Sequence, residues 1–101
     1  MPAYFFAQVE ITDPEGFDEY SRAFSPTLKP FGGRVLAADD GPTQLEGEWP
    51  AGRTVLLEFE STEQAQAWYD SDAYQAISHI RRANSTSTIA IVKGYDRASR
   101  D

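Results

Sequence analysis

The stretch Arg53 to Glu60 constrains this chain more than any other. It reads R-T-V-L-L-E-F-E, with Val55, Leu57 and Phe59 alternating with Leu56, Glu58 and Glu60. In an extended segment this puts a wholly apolar set on one side and a mixed set on the other. Gly47, Pro50 and Gly52 punctuate the approach, and Ser61-Thr62-Glu63-Gln64 follows as a helix start. Ser61 is the cap and Gln64 stands at the reciprocal position. A strand that runs straight into a helix is expected at the centre of a sheet, with the rest of the chain packed around it.

The flanking segments supply the rest of such a sheet. Ala3 to Ile11 alternates Ala3, Phe5, Ala7, Val9 and Ile11 against Tyr4, Phe6, Gln8 and Glu10, which predicts a first strand. Thr12-Asp13-Pro14-Glu15 is a helix start, and Pro14 suits the first helical position. Phe17, Tyr20, Phe24, Leu28 and Phe31 then recur at helical spacing. Pro26 interrupts them, so a kink or a restart capped by Ser25 is expected there. Paired Gly32 and Gly33 end the helix and open a short strand at Val35 to Ala38. Asp39-Asp40-Gly41-Pro42 reads as a turn, with Thr43 to Glu48 continuing the same edge.

After the anchor strand, Ala65, Trp68 and Tyr69 give part of an apolar helical face, which Asp70-Ser71-Asp72 interrupts. Ala73, Ala76, Ile77, Ile80 and Ala83 form a second stripe, ending in Arg81-Arg82, whose charges suit a helix C-terminus. Thr86 to Gly94 is the last strand. The order β-α-β-β-α-β predicts an α+β, ferredoxin-like sandwich, one domain over 1–95 with a polar tail over 96–101. Helices cover one sheet face only. The other face carries Tyr4, Phe6, Leu56, Ala90 and Val92, and a second copy of the chain is its simplest cover, which makes a homodimer the expected partner.

Several function classes are excluded by what the chain lacks. It has no cysteine, so thiolate metal sites and cysteine nucleophiles are absent. No G-x-G-x-x-G or G-x-x-x-x-G-K loop, H-E-x-x-H pair or G-x-S-x-G elbow occurs. No cofactor and no metal are expected. The formal net charge of -7 argues against nonspecific nucleic-acid binding. The N-terminus lacks the basic and apolar regions of a signal peptide, and no stretch is long enough to cross a bilayer. A cytoplasmic protein without membrane partners is the expectation.

The chain resembles the domain-of-unknown-function 1330 family of the dimeric α/β barrel superfamily. The marks are A-Y-F near the start, T-D-P-E at 12–15, Tyr20, F-G-G-R at 31–34 and L-E-G-E-W at 45–49. Arg53 with L-E-F at 57–59, then A-W-Y-D-S at 67–71 with Tyr74-Gln75, complete them. The resemblance implies a ferredoxin-like fold in a dimeric α/β barrel. The wider superfamily includes cofactor-free monooxygenases, haem-using enzymes and muconolactone isomerase-like proteins, so it implies no single activity.

Candidate chemistry rests on few residues. Glu58 stands on the mixed face of the anchor strand, where a carboxylate is costly unless paired. Arg34 or Arg53 is the expected partner. Glu58 is then an interface ion pair or, alternatively, a general base in a pocket. His79 is the single histidine, and Tyr20 needs a polar partner if buried. Glu58, His79 and Tyr20 are the catalytic candidates. Trp49, Arg53, Trp68, Tyr69, Tyr74 and Arg34 are the candidate lining of a pocket between helices and sheet, suited to a small aromatic, carbonyl or anionic compound. The alternatives are a cofactor-independent monooxygenase or isomerase using Glu58 or His79 as base, and a noncatalytic structural or stress-related dimer.

Overall fold

A computed structural model describes residues 1–95. The expected tail over 96–101 lies outside the described residues. The chain runs β1 (Ala3–Ile11), α1 (Pro14–Leu28), a 3-10 turn (Lys29–Phe31), β2 (Arg34–Asp39), β3 (Arg53–Phe59), α2 (Thr62–Asp70), α3 (Asp72–Asn84) and β4 (Ser85–Lys93). The four strands form one antiparallel sheet in the order β2-β3-β1-β4. The two most apolar strands are therefore central, as the alternation in β1 and β3 requires. Ala3, Phe5, Ala7 and Val9 from β1 and Leu57 and Phe59 from β3 are all buried beneath the helices.

The barrel implied by the resemblance is not formed. The sheet is open: β2 and β4 are its opposite edges and do not pair with each other. The physical reason is the small number of strands. Closed barrels take about eight strands at a steep tilt. Here four strands carry their helices on one face, and the other face is left uncovered by this chain. The ferredoxin-like element order stands.

Local chemistry sets the helix boundaries. The Asp13 carboxylate accepts the Gly16 amide at 3.3 Å and starts α1, with Pro14 in its first turn. Ser61 Oγ accepts the Gln64 amide at 3.1 Å and starts α2. Ser71 does two things at once. Its hydroxyl donates to the Trp68 carbonyl at 2.7 Å and accepts the Tyr74 amide at 3.1 Å, closing α2 and opening α3. Pro26 does not end α1, which continues to Leu28. Its last turn is held by tertiary contacts: Leu28 is buried, and Thr27 Oγ1 accepts the Trp68 indole N–H at 2.9 Å while donating to the Phe24 carbonyl.

Residues 43–48 form no strand. The outer edge of β3 is already paired with β2, whose register runs from Arg34 opposite Glu58 to Asp39 opposite Thr54, with a bulge between Val35 and Ala37. Gly32 and Gly33 divide the work expected of them. Gly32 takes the left-handed conformation (φ 69°) that closes the 3-10 turn. Gly33 has an ordinary φ, but a Cβ there would strike the Phe59 ring and Leu28.

The core is largely aromatic. Trp68 is 0% exposed. It packs edge-on against Phe5 at 5.0 Å and Phe24 at 5.9 Å, and tilted against Phe59 at 5.4 Å and Tyr74 at 4.2 Å. No helix among the described residues is long and apolar enough to cross a membrane.

Candidate functional site

Beside this aromatic core, α1 and α3 stand off the sheet and leave a cavity of about 170 Å³. Its floor is Phe5, Ala7 and Val9 from β1, Val55 from β3 and Ile89 from β4. Its walls are Phe17, Tyr20, Ser21 and Phe24 from α1, Val35 and Ala38 from β2, and Tyr74 and Arg81 from α3, with Arg53 also at its margin. The strand period of two aims the floor residues at the helices. Tyr74, Ser78 and Arg81 follow the helical period and are the buried residues of α3. No carboxylate lines the cavity.

Three polar groups on the wall form a chain. Arg81 Nε donates to the Tyr74 hydroxyl at 3.2 Å, and the Tyr74 and Tyr20 hydroxyls meet at 2.8 Å. Burial pushes the Tyr20 phenol far above its ordinary range. The Tyr74 hydroxyl adds to the rise, and Arg81 opposes it. Burial thus favours the protonated phenol, which shares a hydrogen bond with Tyr74. Burial also works against the charge on Arg81, but the Tyr74, Tyr20 and Tyr69 oxygens outweigh it and hold the guanidinium above its ordinary value. Arg81 is only 6% exposed, and its Nε is held by the Tyr74 hydroxyl.

Tyr20, Tyr74 and Arg53 are the sequence candidates that meet at this cavity. Arg53 is committed to a partner: its Nε donates to Asp40 at 2.6 Å, and that bond holds the Asp40 carboxyl below its usual range. Trp68 is core, and its indole N–H is used by Thr27. Tyr69 is half-buried against Phe5 and Tyr74, beside the cavity. Trp49 is exposed in the loop before β3 and bonds Thr54 at 3.0 Å.

Glu58 and Arg34 lie on the opposite sheet face. Arg34 Nε donates to Glu58 at 2.7 Å, and the Tyr4 hydroxyl approaches the same carboxylate at 3.4 Å. Of the two expected partners, Arg34 is thus the one that pairs with Glu58. His79 is exposed on α3 and does not line the cavity. Among the described residues, no group of three histidines, aspartates or glutamates is placed to hold a metal.

Arg81 is the residue that sequence reasoning missed. Beside Arg82 it looks like a terminal charge facing solvent, and Arg82 is exposed. The available signal was spacing. Tyr74, Ser78 and Arg81 fall at i, i+4 and i+7, one helix face, but a search for apolar periodicity passes over a face built from polar groups.

The fold is shared with solved structures of low sequence identity. A protein of unknown function from Rhodopseudomonas palustris has a TM-score of 0.77 at 18% identity, over 94% of this chain and 83% of that one. SnoaB, a cofactor-independent oxygenase from Streptomyces nogalater, has a TM-score of 0.65 at 12% identity, over 98% of both chains. A dimeric ferredoxin-like protein of unknown function from Thermobifida fusca has a TM-score of 0.63 at 16% identity, over 90% of this chain and 89% of that one. These likenesses concern the fold alone. No curated protein matches the chain. The model of the domain of unknown function DUF1330 matches residues 2–95, and the chain belongs to that family.

Proposed function

We propose that this chain is a homodimeric binding protein for a small aromatic or carbonyl compound, held in the cavity between α1, α3 and the sheet. The observation that carries the reading is the cavity itself. It is apolar on its floor, and on one wall it carries the hydrogen-bonded chain of Arg81, Tyr74 and Tyr20. An apolar cavity of about 150 Å³ holds a benzene ring, so about 170 Å³ suits one ring with a small substituent. An apolar pocket with a few convergent polar groups is the usual form of a ligand site.

The placement of the other candidates favours binding over base-catalysed turnover. Glu58 faces away from the cavity and is paired with Arg34. His79 is exposed, and Tyr20 holds its proton. The oxygenase from Streptomyces nogalater shares the fold and lends no residue to this site. A dimer is supported by the face that this chain leaves bare, where Val92 and Ala90 are exposed and Tyr4, Phe6 and Leu56 are half-buried. The Thermobifida fusca relative, described as dimeric, points the same way.

Titration with benzaldehyde and phenol, followed by backbone amide resonances, tests the binding reading. Shifts centred on Ala7, Val9 and Val55 are expected, and Ala7→Leu, which fills the floor, should abolish them. Shifts elsewhere, or shifts that survive Ala7→Leu, would refute the assignment of the cavity. Light scattering at micromolar concentration tests the dimer, and a clean monomer mass would remove it.

A further inference from the structure

We infer that the cavity takes a small monoanion with an apolar body, a ring-sized aryl or branched aliphatic monocarboxylate whose charge is the missing partner of Arg81. The inference rests on the binding reading above and narrows it to one ligand class.

Among the described residues, three arginines stand in ion pairs, and Arg82 is exposed to solvent. Arg22 pairs with Asp18, Arg34 with Glu58 and Arg53 with Asp40. All three pairs have at least one partner well exposed to solvent, where pairing matters least. Arg81 is the buried one, and no carboxylate meets it among the described residues. Acids are not scarce, since the chain has 16 against 9 basic residues. A cation largely removed from bulk water gains from an opposite charge, and the guanidinium nitrogens that lack a protein partner stay in touch with solvent. Here the protein supplies only the oxygen of Tyr74, on the Nε side of the guanidinium.

The surroundings select one negative charge and an apolar body. Arg53, at the margin, is already neutralised by Asp40, so the cavity carries the single uncompensated charge of Arg81. A dianion would therefore leave one charge unmet. The floor of Phe5, Ala7, Val9 and Val55 offers no polar group to a sugar or an amino acid. The hydroxyl chain extends the same preference. With Arg81 donating to the Tyr74 oxygen, the Tyr74 hydroxyl can donate its hydrogen bond to the Tyr20 oxygen, which leaves the Tyr20 O–H free for a bound acceptor. Charged acceptors gain more than neutral ones from such a donor pair. Arg81 also borders an outer hollow with Arg82, Ser85, Thr86 and Ser87, so an anion could reach the guanidinium from that side, and the test separates the two locations.

Benzoate and its neutral isostere benzamide are the probes, titrated into the full chain and followed by calorimetry and amide resonances. Benzoate should bind about tenfold or more tightly than benzamide, the discrimination of one charge-assisted hydrogen-bonded pair. Its shifts should centre on Ala7 and Val55. Arg81→Met keeps an unbranched side chain without the charge, and should bind the two probes equally while circular dichroism shows the fold retained. Equal affinities in the wild-type chain overturn the monoanion and leave the cavity reading standing. Benzoate preference that survives Arg81→Met overturns it as well, as do shifts confined to Thr86 and Ser87. If neither probe binds, the inference falls together with the cavity reading. The wild-type comparison decides alone if Arg81→Met fails to fold.

Discussion

The two faces of this sheet handle charge in opposite ways. On the uncovered face, Glu58 is met by Arg34 at 2.7 Å, and Arg34 reaches into solvent. Opposite charges pair there, in water, and the pair serves position more than energy. On the helix-covered face, Arg81 is met by the hydroxyl of Tyr74, and Tyr74 by that of Tyr20. A largely buried charge whose protein partner is a hydroxyl has room for a counter-ion. The difference teaches where to look for a site in a small domain of this kind. Completed ion pairs at the surface have little left to offer, whereas an incomplete one beside a cavity has.

The largest effect should come from breaking the covered face at its centre. Trp68→Ala removes the ring around which Phe5, Phe24, Phe59 and Tyr74 pack, and strands the hydroxyl of Thr27. A loss of about 3–5 kcal/mol is expected in urea denaturation. A loss under about 1 kcal/mol would mean that the core is not organised around this ring. The next effect is a pH dependence. Tyr20 ionises near its ordinary pKa of about 10 when unfolded but holds its proton when folded, so unfolding releases a proton above that pH. The stability contribution is full below about pH 10 and falls as pH rises, by up to about 1.4 kcal/mol per pH unit. Tyr20→Phe should remove that component of the alkaline slope. An unchanged slope would place the phenol in water.

The smallest effect belongs to the uncovered face. Glu58→Gln should change the stability of the isolated chain by less than about 1 kcal/mol, because Arg34 is solvated. Repeating the measurement across protein concentrations sharpens the comparison. A cost that grows as the chain associates would show the Glu58–Arg34 pair becoming buried against a second copy. A cost of several kcal/mol in dilute solution would erase the contrast between the two faces.

Much of the fold was legible because it is written in local patterns. The period of two in β1 and β3, the helix start at Thr12-Asp13, where Asp13 proves to be the cap, and the cap at Ser61 are short-range signals that tertiary structure left intact. Pro26 misled because a backbone rule was outvoted by anchoring: Thr27 and Leu28 are held by the core on the far side of the proline. Residues 43–48 misled because pairing is a matter of vacancy, and β2 had already occupied the edge of β3. The open sheet could not be read from strands taken one at a time, since closure depends on how many strands meet. Tyr20, Tyr74 and Arg53, singled out in the sequence as aromatic and basic residues, line the candidate cavity. Arg81 was not, because its inward turn is set by the phase of α3, and that phase is carried by polar side chains.

That phase is set where α3 begins. Ser71 ties the carbonyl of Trp68, in the core, to the amide of Tyr74, in the cavity wall. The joint measures one helix from the other with no slack. Inserting or deleting one residue there would turn α3 by about 100° about its axis and swing Tyr74, Ser78 and Arg81 away from the sheet. The exposed loop at residues 40–52 has no such duty and can lengthen or shorten at modest cost. Length variation among chains built on this plan should therefore gather before β3 and be absent between α2 and α3, so that a bookkeeping of gaps alone, with no residue compared, would reveal which joint keeps the pocket in register.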